Sequence, residues 1–170
     1  MILNMTIQNN VTRFLESQKI EFMALESESI KRSAQETANL FHLDPNIVYK
    51  TIVVCRFNSG KNLLIVTPGP LEVDLKKVAA LIHEKKVRIP TQNEAEAITK
   101  LQAGGISPIA LLNHGFEIFI HQTIKNQSKI AISGGQRGLT ILLSANDFLR
   151  ITKAKIADVA SPDQKDNSDL

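Results

Sequence analysis

Two stretches of this 170-residue chain consist almost entirely of β-branched and aliphatic residues: Thr51-Ile-Val-Val-Cys55 and Asn62-Leu-Leu-Ile-Val-Thr67, separated by Asn58-Ser-Gly-Lys61. A strand with one wet face alternates apolar and polar residues; these do not, so both of their faces have to be covered. The turn residues between them make the pair a hairpin of two largely buried strands. The rest of the chain must supply that cover.

Signals for the surrounding elements are local and clear. Ile7, Val11, Phe14 and Leu15 share one face of a helix within residues 7–18, and Phe22-Met-Ala-Leu25 reads as a short strand. Ser33-Ala-Gln-Glu36 and Thr91-Gln-Asn-Glu94 are capping boxes. The first opens a helix running to about Phe41, and the second a helix that Gly104-Gly105 would end. Asp44-Pro45 is an N-cap followed by proline at the first helical position, and Asp74 caps a helix with Leu75, Val78, Ala79 and Ile82 on its apolar side. Phe116 to Ile120, Lys129 to Ser133 and Leu139 to Leu143 read as strands, Ser144-Ala-Asn-Asp147 opens a last helix, and Ile156 to Ala160 closes the fold. This irregular mixture, joined by hairpins, predicts a single α/β (mixed α+β) domain over residues 1–160, a mixed sheet wrapped by helices. A polar, frayed tail is expected over residues 161–170.

Charge narrows the function classes. The net charge is +3, but residues 1–49 carry net −2, residues 50–160 net +7 and the last ten net −2. A basic second part is compatible with a polyanionic partner, and Lys76, Lys77, Lys85, Lys86 and Arg88 form its densest stretch. The same residues also fit a solvated helix face. A single cysteine, Cys55, excludes a disulfide framework, and its place inside an apolar strand suits a small buried hydrophobe better than a nucleophile. His42, His83, His114 and His121 have no metal-pair spacing, so neither metal nor cofactor is expected. GxSxG, Walker A and GxGxxG motifs are absent. The start, Met1-Ile-Leu-Asn-Met-Thr6, lacks a basic n-region, and the longest charge-free run, Leu101 to Phe116, is broken by glycine and proline. The expectation is a cytoplasmic protein without a membrane partner.

Five of the eight glycines fall in two segments, Gly104-Gly105-Ile106-Ser107-Pro108 and Ser133-Gly134-Gly135-Gln136-Arg137-Gly138. Such pairs let main-chain amides approach an anion, with Arg137 as an added donor; they equally fit a helix C-cap and a bulged hairpin. Lys50, at the mouth of the first buried strand, could hold an ammonium over a pocket and stabilise an oxyanion, or simply extend to solvent. No nucleophile–base pair is evident.

Taken together and in order, Val48-Tyr-Lys-Thr51, Gly104-Gly-Ile-Ser-Pro108 and Ser133-Gly-Gly-Gln-Arg-Gly-Leu139 resemble the hallmarks of the YbaK-type aminoacyl-tRNA deacylases, free-standing relatives of the editing insertion of bacterial prolyl-tRNA synthetase. Asp74-Leu-Lys-Lys-Val-Ala79 resembles the helix between the first two motifs, and the likeness spans about residues 8–160. The resemblance implies a barrel-like mixed sheet surrounded by helices and removal of a wrong amino acid from tRNA, chiefly cysteine from Cys-tRNA(Pro). Cysteine and proline are too similar in size for one pocket to separate, hence a second sieve. It implies that Lys50 is the essential lysine, that Thr51 is its neighbouring hydroxyl, and that the two glycine loops (Gly104, Gly105, Ile106, Ser107, Pro108; Ser133, Gly134, Gly135, Arg137, Gly138) line the pocket. The substrate's own thiol is the attacking group in this family, which accounts for the missing nucleophile. The tRNA backbone would meet Lys76, Lys77, Lys85, Lys86 and Arg88. Prolyl-tRNA synthetase is a candidate docking partner, and a monomer or weak dimer is expected. Two positions depart from the pattern: Ser27 stands near the usual tyrosine and Thr140 at the usual aspartate. These bear on which amino acid is removed. The alternatives are a water-using deacylase for alanyl or seryl tRNA and a non-catalytic tRNA- or synthetase-binding module.

Overall fold

The computed structural model describes residues 7–163. The buried hairpin is there: β2 (Tyr49–Arg56) pairs antiparallel with β3 (Leu63–Pro68). Every residue of β3 is buried. Leu63 and Ile65 pack with Val54, Val78, Ala79 and Phe119, whereas Leu64 and Val66 pack with Tyr49, Ile120, Ile132 and Phe148. A separate core on each side explains why neither strand alternates. Each such side chain contributes roughly 1.5–3 kcal/mol by leaving water.

The remaining elements supply those cores. α1 (Asn10–Ser17), β1 (Phe22–Glu26) and α2 (Ala34–Phe41) precede the hairpin. A short β4 (Leu71–Val73), α3 (Leu75–Leu81), β5 (Val87–Arg88) and α4 (Gln92–Thr99) follow it. β6 (Glu117–His121), β7 (Lys129–Ser133), β8 (Leu139–Ser144), α5 (Ala145–Thr152), β9 (Lys155–Ala157) and β10 (Ala160–Pro162) complete the chain. The strands form a five-stranded mixed sheet, β5-β2-β3-β6-β9, a three-stranded antiparallel sheet, β1-β8-β7, and the pair β10-β4. β3 to β6 and β6 to β9 are the parallel ladders. The two larger sheets meet at a bridge between Val48 and Ala131, just before β2 begins. This mixed sheet wrapped by helices matches the expected architecture.

The caps form as the sequence indicates. The Ser33 hydroxyl accepts from Glu36 N at 3.1 Å while the Glu36 carboxylate accepts from Ser33 N at 2.6 Å, and Thr91 and Glu94 repeat the arrangement. Asp74 caps α3 and Ser144 caps α5. One helix end needs correcting. α4 stops at Thr99, with Lys100 in the left-handed region at φ +61, so Gly104-Gly105 lies in a separate turn and caps nothing. The Thr99 hydroxyl ends the helix by accepting from Leu101 N. The closing stretch is divided between β9, at the edge of the five-stranded sheet, and β10, which pairs separately with β4 and runs through Pro162, opposite Leu71. The tail expected from residue 161 lies outside the described residues from 164 on. Among the described residues no helix is long and apolar enough to cross a membrane.

Candidate active site

A cleft of about 620 Å³ opens along the start of β2. Its walls are β2 itself, the segment between β1 and α2, the residues before α4, the Gly104 turn and the β7–β8 hairpin. Its surface is more apolar than polar, with Ile30, Ile52, Ile89 and Ile106 among its lining residues, and charged and hydroxyl side chains are interspersed along it.

Lys50 lines this cleft. Its Nζ donates to Glu72 Oε1 at 2.7 Å and to the Gly69 carbonyl at 3.3 Å. Gly69 lies in the turn from β3 into β4, and Glu72 lies on β4 itself. That turn is pinned by Gly69 N donating to the Val48 carbonyl at 2.8 Å, and a Cβ at Gly69 would stand 2.9 Å from that of Ala34. The Lys50 side chain is 22% exposed and Glu72 54%, so the ion pair sits at the cleft rim and orients more than it stabilises. Among the described residues, the hydroxyls of Thr51 and of Thr67, which stands opposite Lys50 in the ladder, are buried without a hydrogen-bond partner. Thr51 lines the cleft beside Lys50.

The two glycine segments divide between lining and support. Gly104, Ile106, Ser133 and Gly138 line the cleft; Gly105, Ser107, Pro108, Gly134, Gly135 and Arg137 do not. The second group holds the loops together. Gly105 lies against the backbone of Gln136, where an added Cβ would approach Cα to 2.8 Å. Arg137 Nε donates to the Ala103 carbonyl at 2.7 Å, so this guanidinium ties loop to loop through one of its donors. Ser107 is fully buried, and its hydroxyl accepts from Ala110 N at 3.4 Å. The amides of Gly105, Gly134 and Gly135 donate to Gln102 O, Leu139 O and Ser133 Oγ. Gly138, at φ +81, lets the hairpin touch the exit of β1, where a Cβ would meet the Ser27 carbonyl at 2.6 Å.

Ser27, directly after β1, and Thr140, on the neighbouring β8, both line the cleft. The Ser27 hydroxyl accepts from Arg32 at 3.0 Å. Arg32 and Lys31 are cleft residues missed in the sequence; Lys31 Nζ reaches Gln92 Oε1 at 2.9 Å. The signal was a basic pair directly before a capping box, in a stretch whose net charge is acidic. None of Lys76, Lys77, Lys85, Lys86 and Arg88 lines the cleft. Lys77 is held by Asp158 and the Ala160 carbonyl, Arg88 pairs with Glu94 at 2.9 Å, and Lys86 lies 4.5 Å over the Phe57 ring. Lys76 and Lys85 are exposed.

Cys55 is 3% exposed, and burial pushes its thiol pKa up, against a smaller opposing pull from Arg88. A protonated, enclosed thiol is no nucleophile. Tyr49 is likewise pushed up by burial; its hydroxyl is shared with Thr123 at 2.8 Å. Among the described residues no group of three His, Cys, Asp or Glu could hold a metal ion. The cleft can thus position, desolvate and present charge, with no nucleophile of its own in evidence.

Comparison with known proteins bears on such a site. The model of the aminoacyl-tRNA editing domain matches residues 28–151. EbsC of Enterococcus faecalis, named as a Cys-tRNA(Pro)/Cys-tRNA(Cys) deacylase, is 29% identical over 157 residues, 91% of this chain and 94% of that protein. The prolyl-tRNA editing protein ProX of Acetoanaerobium sticklandii is 21% identical over 155 residues, 89% of this chain and 94% of that one. Among solved structures, the protein APE2540 superposes with a TM-score of 0.81 at 22% identity, covering 90% of this chain and 100% of the other. A structure described as a trans-editing enzyme for prolyl tRNA synthetase gives 0.73 at 19% identity, covering 92% and 99%. These two structures share the fold.

Proposed function

We propose, from the premise that the chain belongs to the aminoacyl-tRNA editing domain family, that it is a deacylase of mischarged tRNA with Cys-tRNA(Pro) as its substrate. The observation carrying this reading is that Lys50 shares one apolar cleft with Gly104, Ile106, Ser133 and Gly138. The relative named for Cys-tRNA(Pro) supports the choice of substrate.

In this reading the cysteinyl thiol attacks its own ester carbonyl. A carbon–sulfur bond forms, the bond to the ribose oxygen breaks, the thiol proton ends on that oxygen, and the cyclic thioester left behind hydrolyses in water. The protein's part is geometry and field. Holding the thiol against the carbonyl in a near-attack conformer removes on the order of 7–11 kcal/mol of barrier. The Lys50 ammonium and the cleft-side amides of Gly104, Ile106 and Gly138 face the developing oxyanion. Thr51, beside Lys50 in the cleft lining, bounds the substrate from the strand side. Ser27 and Thr140 shape the space around the amino-acid side chain. The acceptor-end phosphates meet Lys31 and Arg32 at the rim, with Lys76 and Lys85 exposed farther along the chain.

The test is release of labelled cysteine from Cys-tRNA(Pro), with alanyl and seryl tRNA in the same panel. Lys50→Ala is expected to lower kcat about 100- to 1,000-fold, the effect of losing one preorganised oxyanion donor. Full activity in that variant overturns the role of Lys50. An inactive wild type that still binds tRNA overturns the enzyme.

A further inference from the structure

The cleft has a marked imbalance of charge. Its lining cations are Lys31, Arg32 and Lys50, and among the described residues that line it Glu72 is the only acid. Glu72 is centred on β4 and held from both directions. Ser161 pairs with it across β10, and Asp74, two residues on, donates its amide to the Val159 carbonyl at 2.9 Å. One carboxylate oxygen accepts from Lys50, and with the side chain 54% exposed the carboxylate stays open to the cleft.

Any aminoacyl ester brings a cation of its own, the α-ammonium, on the carbon adjacent to the carbonyl. In a cleft lined by three cations this group would be both desolvated and repelled unless an anion met it. The geometry points to Glu72 as the receptor for that ammonium. Resting on the deacylase reading, we infer a dyad: Lys50 addresses the carbonyl oxygen, and Glu72, 2.7 Å away, addresses the ammonium beside it. Carboxylate and ammonium held side by side are complementary to an ammonium and a carbonyl on neighbouring carbons. The dyad favours a free α-amine and disfavours esters whose nitrogen is acylated, peptidyl-tRNA among them. Cleft size alone would not draw that distinction.

The probe is the 3-mercaptopropionyl ester of the same tRNA, which keeps the thiol, lacks the amine and adds no bulk. Wild type is expected to prefer the cysteinyl ester roughly 10- to 100-fold in kcat/KM, the factor carried by a hydrogen bond to a charged group. Glu72→Gln closes most of that gap, and Glu72→Asp preserves part of it. Raising the pH through the amine's own titration shrinks the preference in wild type and not in Glu72→Gln. A wild type without preference, or a Glu72→Gln loss equal on both esters, overturns the inference; the second result would leave Glu72 as no more than a holder of Lys50. Binding of non-hydrolysable 3′-amide analogues of adenosine, cysteinyl against 3-mercaptopropionyl, separates the two claims. If turnover is absent but Glu72→Gln abolishes the binding preference, the deacylase reading falls and the ammonium subsite stands. If turnover is present and the preference does not depend on Glu72, the subsite falls alone.

Discussion

Replacing Gly105 by alanine would place a Cβ 2.8 Å from Gln136 Cα, 2.9 Å from its carbonyl carbon and 3.0 Å from Arg137 N. All three are main-chain atoms, so no rotamer change relieves them. The first contact is about 0.6 Å short of the 3.4 Å at which ordinary van der Waals contact begins, and the two glycine loops must part by about that much. Overpacking of this kind costs roughly 1–3 kcal/mol. At about 2–4 °C per kcal/mol for a chain of this size, the Tm falls by about 2–12 °C. The functional loss should exceed the thermal one. Gly104 and Ile106 flank the clash and line the cleft, so activity at 25 °C drops while the protein is still folded. Gly115→Ala is the control: Gly115 has positive φ, +79, which Gly105 does not, but its added Cβ meets nothing within 4 Å. Its cost is the backbone penalty of about 1–2 kcal/mol with unchanged activity. The assay pairs thermal melts with deacylation of Cys-tRNA(Pro). If Gly105→Ala melts and turns over like wild type, or Gly115→Ala loses as much activity, the account of the loops as a rigid, contact-built wall is wrong.

Other expectations concern charge. Lys76→Glu with Lys85→Glu should raise KM for tRNA and leave hydrolysis of cysteinyl adenosine unchanged, with the salt slope reduced by about one for each phosphate no longer neutralised. An equal effect on both substrates would rule out a backbone contact there. Lys31→Glu, at the cleft rim, should raise the tRNA KM more than Lys76→Glu does; the reverse order would place the acceptor stem on α3. His121 is held below its ordinary pKa, chiefly by burial, while Asp158 at 3.4 Å pulls the other way and Lys77 adds to the lowering. The unfolded chain therefore binds the extra proton first, so the stability from neutral His121 is present above its unfolded value near 6.5 and lost as pH falls through it. Tm should decline between pH 7 and 5.5, and His121→Gln should flatten that decline; an unchanged slope would assign the decline to other groups.

What the sequence showed and what it hid separate by range. The capping boxes at Ser33 and Thr91, the caps at Asp74 and Ser144, and the doubly buried hairpin are each written within a few residues, and they form as read. The end of α4 was misplaced because Lys100 takes the left-handed conformation that glycine was expected to supply. The first helix also has a box, Asn9 with Thr12, which is hard to see in sequence because its third position is a hydroxyl and not a carboxylate. The site was legible only in part. Lys50 and the glycine loops stand out as motifs, but Glu72 is 22 residues from Lys50 and meets it only because the β3–β4 turn folds back. Nothing local in the sequence shows that Arg137 ties one loop to the other; its partner, the Ala103 carbonyl, lies 34 residues away.

The hairpin loop beside the cleft is fastened from the far end of the chain: Asn9 Nδ2 donates to the Gly134 carbonyl at 2.8 Å across 125 residues, while β3 waits for β6, pairing Leu63 with Glu117. Contacts so distant in sequence slow folding and fall late in it. On a ribosome, α1 emerges long before the loop it will hold, and the wall formed by β7 and β8 comes later than every other part of the cleft. A nascent chain therefore carries Lys50 without a closed pocket around it, and aminoacyl esters in the translating cell meet a competent cleft only once the last third of the protein has been made.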